Sequence, residues 1–309
     1  MPSDVPVQRV ALLPTCVVDT VAPEVGESVV RVLRRFGCEV TVPDGATCCG
    51  QPAWNAGFAA DAAQVARTTL DALAAALVDG PGVRSDHGPD EPDARSDDEP
   101  DARSEVRSEV RSEVIVCVPA GSCATMIRVF WPELFHVVGD EASAERARRV
   151  GAATRELSEL LVERSGGAAL TGGYERTVGY HHSCHMLREL GLREPPVELL
   201  DGLEGCERVT WSAEERCCGF GGMFAVKLPE TSVAMADDKL DALADSGAAE
   251  LVGCDQSCLL HLRGRLARRG VATPVKHLAQ VLDEAGARPT GPPASPGPTP
   301  RPPAPPPAA

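Results

Sequence analysis

The spacing of the cysteines constrains this chain more than any other feature. Of twelve cysteines in 309 residues, eight fall into two matched sets. One set is Cys16, the adjacent pair Cys48-Cys49 followed by Gly50, and Cys123. The other is Cys184, the pair Cys217-Cys218 followed by Gly219, and Cys258. The step from lone cysteine to pair is 32 residues in the first set and 33 in the second. The step from pair to last cysteine is 74 and 40 residues, and the excess of 34 equals the length of one low-complexity stretch, residues 80–113. Without that stretch the halves superimpose, so the chain reads as two copies of one unit.

Smaller matches follow the same register. Gly37-Cys38-Glu39 and Gly205-Cys206-Glu207 precede the pairs by ten and eleven residues. VIVCVPAGSCATM (114–126) pairs with AELVGCDQSCLLH (249–261), each reading as buried strand, turn, Ser-Cys and helix start. RELSELLVERSG (155–166) and KHLAQVLDEAG (276–286) read as a closing amphipathic helix in each copy.

Two stretches lie outside the repeat. Residues 80–113 repeat DEPDARS and then SEVR, carry 11 acidic and 5 basic side chains and lack aromatics. Such a sequence buries too little apolar surface to offset its ordering entropy and reads as a disordered insertion. Residues 288–309 hold 11 of the 27 prolines and read as a disordered, proline-rich extended tail. The expected organisation is a first lobe over 5–166 containing the insertion, a second over 172–287, and the tail.

Strand and helix patterns alternate within each copy. Val10–Leu13 reads as a short strand running toward Cys16, and Val25, Val29, Val32, Leu33 and Phe36 share one helical face. An Ala-rich helix is expected over about 58–78 with Val65, Leu70, Leu73 and Leu77 inward, then a strand at 114–118. The second copy repeats this with Val178–Tyr180, a helix after Pro195-Pro196, a helix near 231–245 and a strand at 250–253. The expected class is α/β, two pseudo-repeated parallel lobes with the key cysteines in loops after strands.

The net charge of −15 argues against nucleic-acid binding, because phosphate neutralisation needs a basic face. With 11 acids against 5 bases, the insertion carries −6 of that charge, so the remainder is only modestly acidic. No run of about 18 apolar residues and no leader pattern is present, which places the expected chain in the cytoplasm, reaching the inner membrane face only through partners. There, thiols act as ligands or nucleophiles more often than in disulfides.

Four thiolates per copy, drawn from three loops, match the ligand count of a [4Fe–4S] cluster, and equally that of structural zinc. Zinc sites favour a C-x2–4-C knuckle, which an adjacent pair does not make. Gly50 and Gly219 allow close backbone approach to an inorganic core. The remaining cysteines read differently. Cys38, Cys206 and Cys117 fit a core, and Cys254, four residues before Cys258, is a candidate fifth ligand whose first-copy counterpart is Pro119.

LLPTCVVD, FGCEVTVPDGATCCGQPAWNAG, PAGSCATM, HHSCHMLRELG, CCGFGGMFAVK and CDQSCLLHLRGRL together resemble the two-copy cysteine-rich CCG proteins. They are most similar to the branch formed by the A subunits of bacterial L-lactate utilisation systems. That resemblance covers nearly all of residues 8–285 apart from the insertion. It implies an iron–sulfur electron-transfer subunit of a complex oxidising L-lactate to pyruvate, acting with a ferredoxin-type iron–sulfur subunit and a third subunit. It implies up to two clusters, held by Cys16, Cys48, Cys49 and Cys123 and by Cys184, Cys217, Cys218 and Cys258. Other branches serve glycolate oxidation or heterodisulfide reduction, and a zinc-stabilised binding protein without redox activity is the further alternative. The heterodisulfide branch ends each copy in Cys-x-x-Cys around a noncubane cluster. Here Ala120 and Asp255 stand three residues before Cys123 and Cys258, which favours four-cysteine sites.

The chain has no C-x2-C-x2-C-x3-C-P run, P-loop or G-x-G-x-x-G after a strand, so hydride chemistry has to come from a partner. The second copy is richer in polar groups around its lone cysteine, reading His181-His182-Ser183-Cys184-His185 against Leu13-Pro14-Thr15-Cys16-Val17. His185 and Lys227 are the candidate catalytic residues facing a small 2-hydroxy acid, His185 beside cluster sulfur and Lys227 toward the substrate carboxylate.

Overall fold

The computed structural model describes residues 7–79 and 114–294. The first lobe runs β1 (Gln8–Leu12), α1 (Cys16–Val21), α2 (Pro23–Arg35), β2 (Cys38–Thr41), α3 (Gln51–Asn55), α4 (Ala59–Asp79), β3 (Ile115–Val118) and α5 (Gly121–Thr125). A π-helical turn (Met126–Phe130) then leads to α6 (Trp131–Val137), α7 (Glu141–Ala153), β4 (Thr154–Glu156) and α8 (Leu157–Ser165). The second lobe runs β5 (Leu170–Thr171), β6 (Gly173–His181), α9 (Cys184–Arg188), α10 (Glu194–Asp201), β7 (Glu204–Val209), α11 (Met223–Lys227) and α12 (Pro229–Asp245). It closes with β8 (Glu250–Gly253), α13 (Gln256–Arg268), β9 (Val275–His277), α14 (Leu278–Glu284) and β10 (Arg288–Pro289).

Each lobe is built on a four-stranded sheet, ordered β2-β1-β3-β4 in the first and β7-β6-β8-β9 in the second, with every neighbouring pair parallel. The duplication in the cysteine spacing is thus a duplication of topology. In each sheet the strand order reverses beside the central pair, β1/β3 or β6/β8, and the crevice at the carboxyl ends of such strands is where α/β proteins place their sites. Cys16 follows β1, Cys123 follows β3, Cys184 follows β6 and Cys258 follows β8.

Three apolar cores hold this arrangement. One belongs to the first lobe and packs Leu70, Leu73, Val116, Trp131 and Phe135. One belongs to the second, around Trp211, Leu240, Leu243, Leu251 and Leu262. The third crosses between the lobes, joining Val25, Val29, Leu33 and Leu160 to Tyr180, Leu199, Leu278 and Leu282. Packing follows an approximate two-fold, with α2 against α14 and α10 against α8.

Three details differ from the sequence reading. Val65 is exposed, because the buried stripe of α4 runs through Ala62, Ala66, Thr69, Leu70 and Leu73, and its small residues let the helix approach the Gly50 turn closely. The closing segments are not helical throughout, since Thr154–Glu156 and Val275–His277 form the fourth strand of each sheet. The proline-rich segment does not begin unpartnered at 288. β10 pairs antiparallel with β5, and Ala294 receives the buried Arg164 guanidinium on its carbonyl while donating its N–H to the Arg164 carbonyl (3.0 Å). The insertion at 80–113 and the tail beyond 294 lie outside the described residues.

Candidate metal centres

The eight matched cysteines converge into two groups of four. In the first lobe the Cys16 and Cys48 sulfurs stand 3.8 Å apart, and those of Cys49 and Cys123 3.3 Å apart. In the second lobe Cys217 lies beside Cys184 and Cys218, and Cys218 beside Cys258. All twelve cysteines are free thiols.

The turn after each pair explains the glycine. Gly50 has φ +82° and Gly219 φ +88°, a left-handed conformation that costs a side chain steric strain. A Cβ at Gly50 would lie 2.7 Å from the Ala62 carbonyl oxygen, and one at Gly219 would lie 2.6 Å from that of Ser232. The turn also aims backbone donors at sulfur. Gly50 N–H points to Cys48 (3.5 Å), Gly219 N–H to Cys217 (3.4 Å) and Phe220 N–H to Cys218 (3.4 Å). Thr15, just before Cys16, is the one non-glycine residue with positive φ (74°) among the described residues, so the first lone cysteine is reached through a strained turn.

The two groups share one electrostatic pattern. Hydrogen bonds from Cys16 and Cys49 pull the Cys48 thiol far down, and those from Cys184 and Cys218 do the same for Cys217. Cys16 and Cys184 are pushed up by the same hydrogen bonds and by burial, because close thiolates repel. Four sulfurs in this proximity ionise together only around a cation. The four thiols of each group, joined in the second by the His181 ring, the side-chain-free turn and the inward N–H groups all fit an iron–sulfur core.

Sequence reasoning placed the eight cysteines together and missed what surrounds them. Trp131 donates its indole N–H to the Cys49 carbonyl (2.8 Å), and Thr69 its hydroxyl to the Cys48 carbonyl (2.9 Å). The second lobe fixes the corresponding loop with Lys239, whose buried ammonium donates to the carbonyls of Ala213, Glu214 and Arg216 and lies 4.6 Å from the Trp211 ring centre. Burial draws that ammonium down to about 8 while the nearby thiolates of Cys218, Cys258 and Cys217 oppose the shift. His181 is 1 % exposed, neither ring nitrogen has a partner, and a ring nitrogen lies within 4.8 Å of the Cys218 and Cys258 sulfurs. No periodicity marks Lys239 or Thr69, which become functional only through the loop each one clamps.

The lobes meet beside both sites. Asp255 is buried, accepts the backbone N–H of Ser122 across the interface (3.0 Å) and receives the Ser257 hydroxyl (2.5 Å). The position where the noncubane branch carries a cysteine thus holds a carboxylate that ties the two last-cysteine loops together. Gln51 adds a bond to the Ser122 carbonyl (3.1 Å), and Gly121 abuts Met186. Cys254 turns away from the second group, into the core between lobes, where it meets Tyr180 and Glu156. His185 places Nδ1 3.8 Å from the Cys184 sulfur. Lys227 stays on the exposed face of α11, its ammonium 5.8 Å from the ring centre of Phe58 in the other lobe.

Duplicated parallel lobes, each carrying a lone cysteine, a Cys-Cys-Gly turn and a distal cysteine, define a class of cysteine-rich α/β proteins. The family model of the CCG cysteine-rich domain matches residues 10–79 and 178–263, and the chain belongs to that family. Among relatives, Lactate utilization protein A 1 of Bacillus mycoides is 37 % identical over 279 residues, spanning 89 % of this chain and 97 % of its own. Lactate utilization protein A of Geobacillus kaustophilus is 35 % identical over 279 residues (89 % and 98 %), and that of Bacillus subtilis 33 % over 275 (89 % and 99 %). A crystal structure of a hypothetical protein from Helicobacter pylori shares the fold at TM-score 0.57 and 10 % identity, over 91 % of this chain and 49 % of that one.

Proposed function

We propose that this chain is the iron–sulfur electron-transfer subunit of a complex that oxidises L-lactate to pyruvate. The observation that carries the reading is the pair of four-thiol groups, each closed by a turn that admits no Cβ. The names of relatives matching over 97–99 % of their length supply the substrate. Cys16, Cys48, Cys49 and Cys123 would hold one [4Fe–4S] cluster, and Cys184, Cys217, Cys218 and Cys258 a second.

When bound, such clusters accept and pass on single electrons. Oxidation of the 2-hydroxy acid releases two electrons and two protons, so a ferredoxin-type subunit and a third subunit complete the route and carry the hydride-level chemistry. The residues of this chain exclude water and fix the sulfurs. Asp255 locks the two distal loops, Trp131 and Thr69 hold the first pair, and Lys239 holds the second. His185, against the Cys184 sulfur, and Lys227, an exposed cation at the lobe boundary, form the substrate-facing edge. The Asp255 and Ala120 positions speak for four-cysteine sites over the heterodisulfide arrangement.

Iron and acid-labile sulfide, measured on the anaerobically purified chain, test the reading. Two cubane equivalents per chain are expected, while a colourless, zinc-loaded protein overturns it. Deleting the gene should abolish growth on L-lactate, and unimpaired growth would remove the substrate assignment. His185→Ala and Lys227→Ala should slow lactate-dependent electron transfer at unchanged iron content.

A further inference from the structure

We propose that the two sites are electrostatically unequal, His181 and Lys239 making the second lobe's site the one of higher potential, where electrons collect. The inference rests on the iron–sulfur reading and concerns what this chain's side chains do to each site.

The duplication makes the comparison position by position. His181 stands three residues before Cys184, and Leu13 three residues before Cys16. Gly219 packs on the Ser232 carbonyl and Gly50 on that of Ala62, and seven residues beyond those contacts stand Lys239 and Thr69. Both of these side chains reach back to the loop leading into the cysteine pair. One fold therefore puts an apolar group and a neutral hydroxyl at the first site, and an imidazole and an ammonium at the second, where they counter the Asp255 carboxylate that faces Cys184 and Cys258.

His181 is fully enclosed and neither ring nitrogen makes a hydrogen bond of good geometry, which is destabilising for a buried polar atom. A ring nitrogen lies within 4.8 Å of the sulfurs of Cys218 and Cys258, and the Glu214 backbone also faces the ring. The three hydrogen bonds of Lys239 all go to neutral carbonyls, and its charge is opposed by the thiolates of Cys217, Cys218 and Cys258. A buried ammonium without a nearby anion is strongly unfavourable, so this one belongs with a negatively charged neighbour. Four thiolates around a cubane core leave a net negative charge that grows on reduction. An N–H donor and a fixed positive charge therefore stabilise the reduced form more than the oxidised form and raise the potential. Leu13 and Thr69 offer the first site neither effect.

The test is a potentiometric titration of the full chain, followed by electron paramagnetic resonance after iron and sulfide have been counted. Two separate midpoints are expected, and Cys218→Ser should abolish the higher one. His181→Leu and Lys239→Thr, which install the first-lobe residues, should each move the higher midpoint toward the lower and leave the lower in place. His181→Gln and Lys239→Arg, which keep a donor or the charge, should restore most of the separation, and they read the effect if the first variants fold poorly. Coincident midpoints in the unaltered chain overturn the inference, as does a higher midpoint that stays put in iron-replete His181→Leu and Lys239→Thr. Iron loss from His181→Gln as well as His181→Leu would make His181 a ligand and overturn its donor role. A wild-type chain that takes up no iron and sulfide fails earlier, at the metal analysis, and removes the underlying reading together with this one.

Discussion

At the scale of single residues, Gly50 and Gly219 carry the sharpest expectation. Alanine at either position forces a Cβ into a backbone oxygen in a left-handed conformation, a strain of about 1–3 kcal/mol that the loop can relieve only by withdrawing from the sulfurs. Gly50→Ala should lower bound iron to about half by emptying the first site, and Gly219→Ala should do so by emptying the second. Iron and sulfide analysis decides, and full occupancy in both variants would refute the cradle. The cysteines and glycines were legible in the sequence because their spacing repeats. In the sequence His181 reads only as part of a polar run, in which His185 is the candidate catalytic residue. The structure encloses His181 against two sulfurs while leaving His185 half-exposed. Burial and orientation separate the two histidines, and neither is written in residue type.

At the scale of elements, the fourth strands and their caps decide how each lobe closes. β4 and β9 are three residues each, too short for any period to show, so sequence patterning merges them with the helices that follow. Both end in a capping box, Glu156 accepting the Ser158 N–H (2.7 Å) and His277 accepting the Ala279 N–H (3.1 Å). Nε2 of His277 then lies 3.1 Å from the Pro119 carbonyl across the interface, and burial keeps the ring neutral, pulled down to about 4. Burial pushes the Glu156 carboxyl up to about 7 against its bonds to Ser158, and Glu159 adds to the rise. Cys117, Cys254 and Tyr180 pack around the same carboxyl. Between about 4.5 and 7 the folded chain holds the Glu156 proton that the unfolded chain has lost, so stability from this group falls as pH rises through that window, by on the order of 3 kcal/mol. His277 and His182 act oppositely, because their depressed values make stability rise between about 4 and 6.5. The net slope therefore mixes both, and a difference isolates the carboxyl. Denaturant unfolding of the wild-type chain and Glu156→Gln at pH 5.5 and 8 should show the variant gaining relative to wild type at the higher pH. An unchanged difference between the two pH values would refute the buried, protonated carboxyl.

At the scale of the whole molecule, the repeat in the sequence suggests two separable units, and the packing joins them into one. Each site rests on its own lobe's core, with Cys49 in the first and Cys218 and Cys258 in the second. Between them lies the shared core, in which α2 and α8 of the first lobe complete the apolar faces of α14 and α10 of the second. Arg31 and Arg35 extend that junction to Asp283, holding its carboxyl below the usual carboxylate range against the effect of burial. Partly exposed pairs of this kind contribute about 0–1 kcal/mol, so the junction depends on the apolar contacts. Splitting the lobes would expose Val25, Val29, Leu33, Leu199, Leu278 and Leu282 together, so neither half has a low-energy state alone. Coupling of this strength predicts one cooperative unfolding transition. Trp131 is buried in the first lobe's core and Trp211 in the second's, so each reports on one lobe. Fluorescence of the iron-replete chain in denaturant, recorded on variants whose single tryptophan is Trp131 or Trp211, with Trp54 replaced in both, should give superimposable curves after correction for each variant's own stability by circular dichroism. Two midpoints separated beyond that correction would mean that the lobes unfold in turn, and that the shared core contributes less than the two outer ones.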